Sequence, residues 1–132
     1  MRVLLDTNIL FSAFVWPHSK PRKVLEYVAL NHILVICSQT LMESFEVFLR
    51  KAPSKMDSLD DFFSYYPIEL IPAISLGDEV IRDETDQPIL NAAMLYKVDI
   101  IVTGDKDFLS LPLEHPKCLT ASEFVEKYMQ SD

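Results

Sequence analysis

Glycine is nearly missing: Gly77 and Gly104 are the two in 132 residues. A phosphate-cradling loop of the GxGxxG or GxxxxGK[ST] kind needs several glycines, so both are excluded, as are collagen-like repeats and Gly-rich linkers. Cysteine is equally scarce. Cys37 and Cys118 stand alone in apolar surroundings, with no CxxC pair and no Cys/His cluster. A structural zinc site is therefore not expected, and both read as buried free thiols. No apolar run approaches the roughly 18 residues a membrane span needs. The first apolar run has only Arg2 before it and Asp6 inside its reach, so no secretory leader is expected. A soluble, cytoplasmic protein is the reading that remains.

What is present is apolar content and acid. Hydrophobic residues make up 49% of the chain, which argues against disorder and is enough for a core without staples. The length predicts one domain over residues 1–132. The formal charge is −8, from 12 basic and 20 acidic residues. It is unevenly spread: residues 1–55 carry seven Lys/Arg and four acids, whereas residues 56–132 carry five and sixteen. The total alone argues against a nucleic-acid partner; the asymmetry leaves that question open.

Along the chain, short apolar runs alternate with helical periodicity. Arg2 to Asp6, Ile33 to Cys37 and Asp99 to Thr103 read as buried strands, with a shorter one at Ile68 to Ile71 and another ending at Leu119. Helices are predicted over 9–15, 22–31, from Ser38 as cap to about Lys51, over 57–66, from Asp86 to about Lys97, and over 121–128. Leu41, Phe45, Phe48 and Leu49 are expected to form one core stripe, and Ile89, Leu90, Ala93 and Met94 another. Residues 16–21 read as a loop because of Pro17 and Pro21. Continuous apolar strands imply a sheet covered on both faces. The expected fold is α/β: a three-layer α/β/α sandwich with a mostly parallel central sheet.

Ligands of such sheets bind at the carboxyl ends of the strands. The residues expected there are acids. Asp6 ends the first strand, Asp105 follows Thr103, Asp86 stands at a helix entry, and Glu43 lies in the second turn of its helix. Singly, an Asp at a helix start is usually a cap and a helical Glu is usually solvated. Together they cannot share a cleft ionised without a counter-charge. Two carboxylates 4 Å apart repel by about 4 kcal/mol at an effective dielectric near 20. Oxygen ligands with neither His nor Cys favour Mg²⁺ or Mn²⁺, and the chemistry that follows is phosphodiester hydrolysis.

The motifs Val3-Leu-Leu-Asp-Thr-Asn8, Ser38-Gln-Thr-Leu-Met-Glu43, Arg82-Asp-Glu-Thr-Asp86 with Pro88-Ile-Leu-Asn-Ala-Ala93, and Asp99-Ile-Ile-Val-Thr-Gly-Asp-Lys-Asp-Phe108 occur in that order. In order and spacing they resemble PIN domains, and within them the small prokaryotic VapC-like toxin type. The resemblance implies a Mg²⁺- or Mn²⁺-dependent endoribonuclease with Asp6, Glu43, Asp86 and Asp105 as its acidic tetrad. Asp83 and Asp107 would assist or substitute, and Asn8 and Thr103 would orient the acids by hydrogen bonds. It also implies a homodimer and a cognate antitoxin that enters the cleft.

Lys20, Arg22, Lys23, Arg50, Lys51 and Lys55 flank helix ends and are candidate phosphate contacts; Trp16 is a candidate base-stacking surface. Two other readings compete. A receiver-like phosphotransfer domain also carries an acidic Mg²⁺ pocket at strand ends, but it needs adjacent acids after the first strand, where this chain has Asp6 followed by Thr7. A non-catalytic RNA- or protein-binding module would not need all four acids.

Overall fold

The computed structural model describes residues 1–75 and 87–129. Among them, the elements run β1 (Arg2–Leu5), α1 (Thr7–Val15), α2 (Lys20–Asn31), β2 (Ile33–Cys37), α3 (Ser38–Lys51), a 3₁₀ turn (Pro53–Lys55), α4 (Met56–Tyr65), β3 (Glu69–Ile71), α5 (Gln87–Leu95), β4 (Ile100–Val102), α6 (Lys106–Leu109), β5 (Lys117–Leu119) and α7 (Ala121–Tyr128). The five described strands form one sheet in the order β3-β2-β1-β4-β5, and each adjacent pair is parallel. Register sets Leu4 beside Val35 on one side and Ile101 on the other.

Alternation along each strand feeds two cores. Val3, Leu5, Leu34, Ile36, Ile100 and Val102 pack with α1, α2, Phe48 of α3, α4 and α7. Leu4, Val35, Cys37, Ile71 and Ile101 face the opposite way, onto α5 and Phe108 of α6. Both faces are thus covered, which is why β1, β2 and β4 carry almost no polar residue. This is the α/β sandwich the sequence predicts.

Several local expectations are corrected. Residues 20 and 21 are helical, because Ser19 accepts the Arg22 amide and Pro21 is tolerated in the first turn. Ser38 is not a cap: α3 begins there, and Cys37 occupies the cap position. Leu49 and Met94 are not core residues, being 64% and 52% exposed, since each lies a step off its helix's inward stripe. Cys37 is buried, but Cys118, on the edge strand β5, is only half-buried. Burial raises both thiols, Cys118 to about 11, so neither is a reactive thiolate at neutral pH.

No described helix is long and apolar enough to cross a membrane.

Candidate functional site

Because every described strand pair is parallel, β1, β2 and β4 deliver their following residues to the same edge of the sheet. Asp6 follows β1. It is 8% exposed, and its backbone amide bonds the Val102 carbonyl at the end of β4. Its Oδ1 accepts the Ile9 amide at 3.0 Å, which caps α1. Its Oδ2 accepts the Thr103 hydroxyl, and the Asp105 amide donates to that same hydroxyl oxygen at 2.9 Å. Thr103 therefore links the first acid to the loop carrying the second. Asp105 in turn caps the short helix α6 through the Asp107 amide at 2.8 Å.

Glu43 comes from α3, the helix after β2. Its Oε2 accepts the Thr7 hydroxyl at 3.1 Å, and its Oε1 accepts the Gln39 amide at 3.0 Å. Thr7 is covalently next to Asp6. The described part of the site is therefore one hydrogen-bonded run: Gln39, Glu43, Thr7, Asp6, Thr103, Asp105.

Electrostatics explains the need for a partner. Burial pushes the Asp6 carboxyl above its ordinary range, and the negative charge of Asp105 adds to that push. The Thr103 hydroxyl and the Ile9 and Asn8 amides act against it without cancelling it. Among the described residues, every side-chain donor on these acids is neutral. Among the described residues the ion pairs are Arg2–Glu69 and Arg22–Glu26, and neither involves them. A buried carboxylate without a cationic neighbour, facing a second carboxylate, suits a hard divalent cation in charge and donor type.

Among the described residues, no three His, Cys, Asp or Glu side chains close on a common metal position. Asp86 and Asp83 lie outside the described residues. Asp107 is half-buried beside Asp105. Asn8 has an exposed side chain and meets Asp6 through its backbone amide. Thr7 and Gln39 hold Glu43. Reading the sequence missed both, although Gln39 lies four residues before Glu43 on the same helix face, which is the signal that pairs them.

The basic candidates divide. Arg22 bonds Glu26 and lies 5.3 and 5.6 Å from the Phe14 and Phe62 ring centres, so it is engaged inside the fold. Lys20 reaches Ser122 in the first turn of α7 at 3.3 Å. Lys23, Arg50 and Lys51 are exposed, and Lys55 is half-buried. Trp16 is 56% exposed with its ring edge-on to Phe11.

A parallel sheet carrying acids at its carboxyl edge, with the first acid directly after β1, matches a known architecture. The PIN domain family profile matches residues 2–107, and the chain belongs to the PIN domain family, whose members are generally nucleases. It is 28% identical to the uncharacterized protein MJ1680 of Methanocaldococcus jannaschii, covering 97% of this chain and 92% of that one. Among solved structures it is similar to a chain of VapBC2 from Rickettsia felis, solved bound to a DNA fragment from their promoter. The TM-score is 0.67 at 25% identity, over 90% of this chain and 97% of that chain.

Proposed function

We propose that this protein is an endoribonuclease dependent on Mg²⁺ or Mn²⁺, and the toxin of a VapC-like toxin–antitoxin pair. The observation that carries the reading is Asp6. It is a buried carboxylate at the carboxyl edge of the sheet, raised by burial and by Asp105, with no cation beside it among the described residues.

Asp6, Glu43 and Asp105, with Asp86 from the family resemblance, would hold the ion. A bound divalent ion supplies an activated water and offsets the negative charge of the scissile phosphate. The chain's own contribution is preorganisation. Thr103 keeps Asp6 and the Asp105 loop in register, and the caps on α1 and α6 fix both backbones. Exposed Lys23, Arg50 and Lys51 would contact RNA phosphates, and Trp16 an unpaired base. The likeness to a VapBC2 chain supports an antitoxin partner, and the family resemblance supports a homodimer.

Asp6→Asn tests the reading. It keeps an oxygen for the Ile9 amide but removes the charge. Metal-dependent RNA cleavage should fall at least about 100-fold, more than the loss of a group that merely orients a ligand costs. Near-full cleavage by this variant would refute the mechanism. Stable phosphate on an Asp after incubation with a phosphate donor would instead favour a receiver-like domain.

A further inference from the structure

Glu43 is held differently from the other two described acids. Asp6 and Asp105 are fixed by the main chain, as caps of the helices they begin. Glu43 sits within α3 on a side chain with three rotatable bonds, and among the described residues no main-chain donor bonds it. Its two oxygens are taken one each by Gln39 and Thr7. Gln39 comes from its own helix and Thr7 from the first turn of α1, which starts beside Asp6.

We propose that Gln39 and Thr7 are positioning residues that pre-set the Glu43 carboxylate for a divalent cation. This rests on the metal-dependent reading above. Both donors are neutral, so they restrain the carboxylate without spending its charge, which a Lys or Arg in either place would do. Each carboxylate oxygen has more than one lone-pair direction, so a bonded oxygen can still face an ion. Freezing a Glu side chain costs up to about 2 kcal/mol of rotamer freedom, and two fixed donors meet that cost before the ion arrives.

A purely structural role makes a different demand. An exposed pair four residues apart stabilises a helix by only about 0.2–0.5 kcal/mol, so as a helix staple Gln39 would matter little to anything but melting. As a positioning residue it matters to metal affinity, because groups orienting ligands are worth roughly 10–100-fold.

The experiment measures Mn²⁺ affinity by calorimetry, with melting temperature alongside, for the wild type, Gln39→Leu, Thr7→Val, Thr7→Ser, Glu43→Gln and Asp6→Asn. We expect Gln39→Leu and Thr7→Val each to weaken Mn²⁺ binding by about 10-fold with little change in melting. Thr7→Ser keeps the hydroxyl and should restore near-wild-type affinity; it also guards against Thr7→Val failing to fold. Unchanged affinity in Gln39→Leu and Thr7→Val, with binding lost in Glu43→Gln, overturns this inference and leaves the metal site standing. Unchanged affinity in Glu43→Gln and Asp6→Asn overturns the metal site and this inference with it.

Discussion

The two edges of the sheet handle charge in opposite ways. At the amino edge, Arg2 at the start of β1 pairs with Glu69 at the start of β3, reaching diagonally across β2. Its Nε donates to the Tyr96 carbonyl just past the end of α5, at 3.0 Å, and its amide donates to the Asp99 carboxylate at 2.8 Å. The Glu69 hydrogen bond holds the Arg2 guanidinium above its ordinary value, and the nearby acids reinforce it. At the carboxyl edge, Asp6, Glu43 and Asp105 are held by hydroxyls, a side-chain amide and backbone amides. The chain neutralises acids where it needs only a closed end. Among the described residues, it leaves them unneutralised at the edge where we propose that a cation binds.

A further acid at the carboxyl edge separates hydrogen bonding from burial. Glu123 accepts the Thr120 amide at 2.9 Å, while the Thr120 hydroxyl accepts the Glu123 amide at 3.0 Å. Its carboxyl is lowered by hydrogen bonding to Thr120 and by the Lys117 charge, because it is exposed and little desolvated. Asp6 is raised in spite of similar bonds, because it is buried. Burial, not the number of donors, makes the Asp6 charge an unmet demand.

This contrast can be broken at its strongest point by adding metal. Mn²⁺ at 100 times its dissociation constant should stabilise the protein by about 2.7 kcal/mol, a melting shift of roughly 10 °C for a chain of this size. Differential scanning calorimetry should show that shift in the wild type and lose most of it in Asp6→Asn. An equal shift in both would place the ion elsewhere.

Arg2→Met tests the amino edge. Its side chain and that of Glu69 are 24% and 37% exposed, so solvent screens the pair, and the loss should be only about 1 kcal/mol by urea titration. Mn²⁺ affinity and RNA cleavage should not change. A change in either would mean that the two edges are coupled.

The smallest effect is at Glu123. With a lowered carboxyl, its contribution is present above the ordinary value of 4.5 and is lost as pH falls through the folded value. Glu123→Ala should therefore melt slightly below the wild type at neutral pH, and the gap should close below about pH 4. A gap that persists in acid would come from something other than the carboxylate charge.

The strands were legible in the sequence because β1, β2 and β4 are continuous apolar runs that only a doubly covered sheet accommodates. The acids Asp6 and Asp105 were legible because each ends such a run. The family resemblance pointed to Thr103, which meets Asp6 across 97 residues, but not to what holds Glu43. Thr7 finds Glu43 across 36 residues, and no local pattern records that meeting. The same holds for Arg2 and Glu69, 67 residues apart. Helix faces were legible to within a step: periodicity put Leu49 and Met94 inside, and a small rotation of each helix put them out. Asp86 and Asp83 belong to the segment outside the described residues, so their place in the site rests on the family resemblance.

The order of strands also sets when the proposed site is complete. β1 is flanked by β2 and by β4, and its pairing with β4 joins residues about a hundred positions apart. Asp6 comes early in synthesis, and Thr103 and Asp105 follow it by 97 and 99 positions. Until β4 docks, Asp6 lacks the hydroxyl that orients it and the second carboxylate that adds to the effect of its burial. Long-range parallel pairing is slow relative to helix formation. On the ribonuclease reading proposed above, a chain without β4 should not cleave RNA, because the site is complete only once β4 has docked.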